Sequence, residues 1–331
     1  MKYYIGIDIG GTNLSTGVVD ETCKIVGRSR IKTDKGRPYE EVIKDIIESV
    51  KLAADDAKID MDDVRWIGAG CPGTCNSDTG IVEYSNNLGW NNVPLLPDIE
   101  NAFGKKTYID NDANAAAYGE YLAGAAKGAK NAVVITLGTG VGAGIIINGK
   151  IFSGTNFAGG EIGHTVIVID GYQCTCGRKG CFETYASATG LARMTQEALE
   201  QHPESKLHQL VETDGRVSAR TAFNAAKMMD DVGQAVVDRY IKALACGITN
   251  TINIFQPDIL CIGGGVCNEG DNLLIPLKKM VAEQVYSKNS AKNTEICICS
   301  LGNDAGIIGA AMLGKSAESG IIRSVLGKIN S

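Results

Sequence analysis

The chain has 331 residues, 44% of them hydrophobic and 21% charged, which is enough for roughly two domains with sizeable cores. A formal net charge of −6 and a pI near 5.3 provide no broad basic field, so neither nucleic acid nor an anionic membrane is an expected partner. No apolar run approaches the roughly 20 residues of a membrane span, and the sequence opens on strand-like residues instead of a signal peptide, so a cytoplasmic protein acting on a small molecule is expected. Eleven cysteines, an odd number without a secretory leader, fit a reducing compartment. Three of them have metal-ligand spacing, and the other eight read mostly as small buried hydrophobes.

Strand-like runs alternate with helical ones, the pattern of an α/β protein. Tyr3 to Ile9 reads as a strand, Ser15 to Val19 as its hairpin partner and Ile25 to Lys32 as a third strand. Glu40 to Ala57 sets Val42, Ile43, Ile46, Ile47 and Val50 at helical spacing, and Val64 to Ala69 is a further strand. The Gly, Pro and Asn-rich stretch from Gly70 to Asn92 reads as loop and turn. After a strand Thr107 to Ile109 a second unit begins around Asn111: helix Asp112 to Ala126, strand Ala132 to Leu137, a glycine turn, and a returning strand Gly144 to Ile147. Ser218 to Thr251 is mainly helical, Ile259 to Ile262 is a strand, and Asp304 is expected to cap a helix starting at Ala305. The opening strand–glycine turn–strand resembles the later one, a weak internal repeat that predicts two related halves.

Between Glu161 and Glu183, Glu161-Ile-Gly-His164 precedes Cys174-x-Cys176-x4-Cys181 and Glu183. One imidazole and three thiols at that spacing suit tetrahedral zinc, which would either staple a loop or hold the two bracketing carboxylates in a polar site. Asp8-Ile-Gly10-Gly11-Thr12-Asn13 and Leu137-Gly138-Thr139-Gly140 each end a strand; alone, either reads as a hairpin, but the pair suggests backbone N–H groups presented to phosphates. Asp110-Asn111-Asp112 lies where a strand becomes a helix, which suits helix capping and a positioned base equally well. Two motif matches read as accidental. Gly68 to Gly73 fits G-x-G-x-x-G but opens no crossover helix, and Gly309 to Ser316 fits the P-loop pattern inside helical sequence. Cys71-x3-Cys75 has no partner pair in the sequence and reads as a turn.

Taken in order, these motifs, with Gly70-Cys-Pro-Gly73, Asn87-Leu-Gly-Trp90, Gly159-Gly-Glu-Ile-Gly-His164, Cys174-Thr-Cys-Gly-Arg-Lys-Gly-Cys-Phe-Glu183 and Gly263-Gly264-Gly265, resemble the ROK family of sugar kinases and sugar-responsive repressors. The resemblance covers nearly the whole chain and is nearest to the family's bacterial glucokinases. It implies an α/β, two-domain actin/hexokinase-like (ribonuclease H-like) fold with a cleft between domains: 1–112 completed by a helix at 305–331, and 113–304 carrying the zinc loop. It also implies ATP-dependent phosphorylation of glucose or a related hexose or N-acetylhexosamine. Asp112 would be the catalytic base, and Gly73, Asn87, Asn111, Glu161, His164 and Glu183 would bind the sugar. Asp8, Gly10, Gly11, Thr12, Asn13, Gly138, Thr139, Gly140 and Gly263 to Gly265 would serve ATP, with Asp8 near magnesium. His164, Cys174, Cys176 and Cys181 would hold a structural zinc. A homodimer, or alternatively a tetramer, is implied. A repressor would need an N-terminal DNA-binding domain, and only four residues precede Ile5, so the kinase reading is the expected one.

Overall fold

The computed structural model describes residues 2–34 and 36–318, and contacts divide these into two compact units. The first comprises the chain as far as Val134, Gly144–Gly160 and the residues from Cys299 onward; the second comprises Ile135–Ala143 and Glu161–Ile298.

In the first unit, strands β1 (Tyr3–Ile9), β2 (Asn13–Asp20) and β3 (Ile25–Lys32) form an antiparallel meander. Helix α1 (Tyr39–Ala57) buries Val42, Ile46, Val50 and Ala53, a stripe at helical spacing, against Ile5, Ile7 and Ile9 of β1. Strand β4 (Val64–Cys71) joins β1 in parallel. The region expected to be loop from Gly70 to Asn92 instead contains β5 (Thr74–Asn76), β6 (Ile81–Ser85) and β7 (Trp90–Val93), a small antiparallel sheet of its own. Its strands have only three to five residues, so their turn residues outweigh any alternation. The small sheet is held by buried Val82, Leu88 and Trp90, which join the core that α1 covers.

Helix α2 (Leu95–Phe103) leads to β8 (Thr107–Asn111), parallel to β4, and then to α3 (Asp112–Ala123). The predicted helix to Ala126 stops at Gly124, because the Glu120 carboxylate accepts the Ala125 N–H (2.8 Å) and bends the chain away. Strands β9 (Ala132–Leu137), β10 (Val141–Ile147) and β11 (Lys150–Ile151) follow.

The second unit continues with short helix α4 (Phe182–Ala186), α5 (Ala188–Gln201), α6 (Leu207–Asp214) and α7 (Thr221–Lys227). Helix α8 (Asp231–Phe255) buries Val236, Tyr240, Leu244, Ile248 and Ile252 every fourth residue, and Gly247 lets the Phe182 ring of α4 lie against its backbone. Strand β12 (Ile259–Gly263), helix α9 (Asp271–Gln284) and edge strand β13 (Glu295–Ile298) complete it, and helix α10 (Asp304–Glu318) returns to the first unit. The part of the expected C-terminal helix beyond Glu318 lies outside the described residues.

The main sheets run β3-β2-β1-β4-β8 and β11-β10-β9-β12-β13. In each, the strands stand in the same order relative to the chain: third, second, first, fourth, fifth. The internal repeat read from two glycine turns is therefore a repeat of whole-sheet topology. Among the described residues, no helix is long and apolar enough to cross a membrane.

Helix α10 lies nearly on the backbone of the first sheet. A Cβ at Gly6 would overlap the Ile307 carbonyl, one at Gly68 the Ala310 carbonyl, and one at Gly309 the Ala115 carbonyl of α3. Both accidental motif matches are thereby explained, since Gly68 and Gly309 are contact glycines, one within a strand and the other within a helix. Replacing Gly309 with Ala is expected to cost about 1–3 kcal/mol or more through overpacking, read as a lower urea midpoint; unchanged stability would refute the close approach.

Candidate active site

Parallel pairing sets the first half of the site. Register aligns Asp8 of β1 with Gly70 of β4, and Gly70 with Asp110 of β8, so two carboxyl groups, with a glycine between them, stand at the carboxyl end of one sheet. Such carboxyl ends are where open α/β sheets bind ligands. Asn111 caps α3: its Oδ1 accepts the N–H groups of Ala113 (2.9 Å) and Asn114 (3.3 Å), while its Nδ2 donates to the Gly73 carbonyl at 3.1 Å. Asp112 follows in the first helical turn, where the helix dipole favours a negative charge. Capping thus falls to Asn111, which leaves Asp112 as the candidate base.

Gly73 has φ +109°, and a Cβ there would overlap the Tyr84 carbonyl, so this turn presses onto β6. Asn87 lies exposed in the β6–β7 turn. Asp110, which the sequence reading left without a role, is buried and binds Asn114 Nδ2 at 2.8 Å and the Asn111 N–H at 2.7 Å. Burial pushes its carboxyl up to about 6, against those two hydrogen bonds. It braces the first turn of α3, and its place in a strand-end Asp-Asn-Asp run was the only signal of that.

Burial also pushes the Asp8 carboxyl up to about 6, with the Asp112 charge adding to the shift. Gly306, in the first turn of α10, leaves room for this carboxylate, because a Cβ there would come within 2.7 Å of Asp8 Oδ2. The β1–β2 turn, Gly10 to Thr12, is closed by Gly10 N–H donating to the Asn13 carbonyl at 2.9 Å, and Thr12 is exposed at its tip.

In the second unit, Gly138 N–H donates to the Gly140 carbonyl at 3.0 Å, and Gly138 and Thr139 are exposed. Gly263 to Gly265 lie beside this turn: Gly264, at φ +97°, packs so that a Cβ would overlap the Leu137 carbonyl. Glu183, at the start of α4, reaches the same hairpin and accepts the Val141 N–H at 3.0 Å through Oε2. A Cβ at Gly140 would overlap that oxygen, and one at Gly163 would overlap the Val141 carbonyl.

His164 ends the short turn Ile162–His164 and points Nδ1 at Cys174 Sγ (3.6 Å), while Cys176 Sγ and Cys181 Sγ are 3.7 Å apart. The four ligand atoms lie within 4.8 Å of one another, and no other such His, Cys, Asp or Glu cluster occurs among the described residues. His164 Nε2 faces the Glu161 carboxylate at 4.0 Å. Burial, with the neighbouring thiols, pushes Cys181 up to about 12, whereas the Arg178 N–H pulls Cys176 down. All eleven cysteines are thiols. Of the eight outside the cluster, Cys71, Cys75, Cys261 and Cys267 are buried, but Cys23, Cys246, Cys297 and Cys299 are only half-buried.

Two sheets of one topology, each with a glycine turn in its first hairpin, make this a protein of the actin/hexokinase-like fold. The chain belongs to the ROK family, which it matches over residues 4–317. It is 39% identical over 319 residues to the glucokinase of Halalkalibacterium halodurans, covering 96% of each chain. The structure of a ROK family glucokinase from Streptomyces griseus in complex with glucose and AMPPNP is similar at a TM-score of 0.80 and 32% identity, over 94% of this chain and 98% of that one. The xylose repressor of Bacillus subtilis is 28% identical, over 94% of this chain and 76% of its own length.

The Asp8 shift has a consequence for stability. A carboxyl raised to about 6 from 3.8 in the native state destabilises the fold as pH rises through that interval and costs nothing below it. Asp8→Asn should therefore stabilise the protein at pH 8 by no more than about 3 kcal/mol, read as a higher thermal midpoint. The gain should shrink toward zero as pH falls to about 4, and a gain independent of pH would contradict the assignment.

Proposed function

We propose that this protein transfers the γ-phosphate of ATP to the 6-hydroxyl of glucose. The observation that carries the reading is the alignment of Asp8, Gly70 and Asp110 at one sheet edge, with Asp112 entering the helix beside them. Full-length similarity to glucokinases, over 96% of both chains for the Halalkalibacterium halodurans enzyme, supports it. Phosphoryl transfer asks little covalent chemistry of a protein beyond a positioned base and compensation of phosphate charge.

Asp112 accepts the proton of the attacking hydroxyl. Its place in the first turn of α3, behind the Asn111 cap, fixes its direction, and the Asp110 brace beneath that turn resists displacement. Asn111 keeps its second Nδ2 hydrogen for the sugar, and Gly73 and Asn87 contact the sugar as well. The turns Gly10 to Asn13 and Gly138 to Gly140 present N–H and hydroxyl donors to the phosphates. Gly263 to Gly265, whose lack of side chains leaves the backbone open, lie against the adenosine. Magnesium bound with ATP would be held at Asp8 and would supply further neutralisation of phosphate charge; the costly ionisation of Asp8 next to Asp112 fits a cation there.

The His/Cys cluster fits zinc. Tetrahedral bonds of ~2.3 Å to sulfur and ~2.0 Å to nitrogen require sulfur–sulfur and sulfur–nitrogen separations of ~3.8 and ~3.5 Å, against 3.7 and 3.6 Å observed. His164 (through Nδ1), Cys174, Cys176 and Cys181 would hold the metal, which would supply the positive charge that lets three crowded thiols ionise. A metal on Nδ1 would leave the ring proton on Nε2, which faces Glu161 and would be free to donate to a sugar hydroxyl. Glu183 holds the β9–β10 turn in place and offers the sugar its remaining acceptor capacity.

A coupled ADP-release assay across glucose, mannose, fructose, N-acetylglucosamine and N-acetylmannosamine tests the reading directly. Glucose should give the highest kcat/KM, and no turnover with any sugar would overturn it. Asp112→Asn should abolish turnover while leaving the thermal midpoint near that of the parent; retained activity would remove Asp112 from the mechanism. Chelation of zinc should lower the thermal midpoint and weaken sugar binding more than nucleotide binding, as read by calorimetry with each ligand.

A further inference from the structure

A pair of thiols outside this machinery is placed for chemistry of its own. Cys261 of β12 and Cys297 of β13 are register partners, so their side chains leave the same face of two adjacent parallel strands. Their Sγ atoms are 3.5 Å apart. Neighbouring strands run about 4.8 Å apart, inside the roughly 4.4–6.8 Å Cα range that a disulfide spans. The two thiols differ in access. Cys261 is fully buried on an inner strand, whereas Cys297 is half-buried on the edge strand. The edge position of Cys297 leaves one sulfur of the pair within reach of a small oxidant while the other is held beside it.

We infer that Cys297 and Cys261 form an oxidation site for small hydroperoxides, in which Cys297 is attacked first and Cys261 resolves it. In the first step the Cys297 sulfur takes one oxygen from the peroxide, giving a sulfenic acid and releasing water or the alcohol. In the second, the Cys261 sulfur attacks the sulfenic sulfur, the S–S bond forms, and a second water leaves with the hydroxyl group and the thiol proton. The thiol pair loses two electrons, and the hydroperoxide gains them.

The consequence for turnover rests on the reading of Gly263 to Gly265 as part of the nucleotide site. Cys261 lies two residues before Gly263, and Gly264 already packs on the Leu137 carbonyl without space for a Cβ. Shortening the Sγ separation from 3.5 Å to the roughly 2.05 Å of a disulfide strains β12 two residues from a turn that has no slack, so the oxidised protein should bind ATP less well.

The test exposes the zinc-loaded protein to hydrogen peroxide and maps the products by peptide mass. The parent should yield a reductant-reversible peptide pair joining Cys261 to Cys297, lighter by two hydrogens. Cys261→Ala should stop at a sulfenic acid on Cys297 that a dione probe traps, and Cys297→Ser should leave Cys261 unmodified. Absence of that peptide pair from the parent, or oxidation of Cys261 in Cys297→Ser, would overturn the site. In the parent, KM for ATP should rise several-fold on oxidation, with kcat little changed and reversal by reductant. A cross-linked protein with unaltered KM would overturn the coupling to the nucleotide turn. The cross-link is scored without turnover, so failure of the kinase reading would be seen separately.

Discussion

The close seating of α10 against the first sheet is the constraint on which the Asp8 end of that sheet depends. Backbone rests on backbone here, at Gly6 and Gly68 on the strands and at Gly119 and Gly309 between α3 and α10, with no side chain to act as a cushion. The Trp66 indole N–H donates to the Ala311 carbonyl at 2.7 Å, and Arg28 holds Asp304 with two hydrogen bonds at 2.6 and 2.7 Å. These contacts fix α10 along its length. They also bring Gly306 over Asp8, which buries a carboxylate that water would otherwise solvate. The perturbed acid at the site is thus a product of helix packing by residues from the far end of the chain.

The second unit uses a different device to the same end. Its glycine hairpin is gripped from one side by the Glu183 carboxylate and from another by the backbone at Gly163, both close in sequence to the thiol and imidazole cluster. Glu183 Oε1 lies 3.9 Å from Cys174 Sγ, so one carboxylate touches both the cluster and the turn. A metal there would order more than its own loop, since the orientation of His164 and the position of Val141 share a support.

The N-terminal hairpin strands, the helical stripe of α1, the two glycine turns and the His/Cys cluster were legible because each is a local signal. Alternation, helical spacing and ligand spacing all fall within a few residues of one another. The small sheet β5-β6-β7 was not legible, since strands of three to five residues rich in Gly and Asn look like turns until they pair. Asp110 escaped for another reason. In sequence it is one of three polar residues in a row, and only the parallel register with Gly70 and its burial distinguish this brace from its neighbours.

By itself, then, the sequence determined the two-fold repetition of the framework and the spacing that groups His164, Cys174, Cys176 and Cys181, because these are written along the chain. Tertiary structure alone decided what those residues experience. The burial that raises Asp8 and Asp110 toward 6 and the 3.5 Å approach of Cys261 to Cys297 both arise between segments far apart in sequence. Glu183 meets the glycine hairpin in the same way. Solvation and charge proximity are properties of neighbours in space, and no periodicity in the chain encodes them.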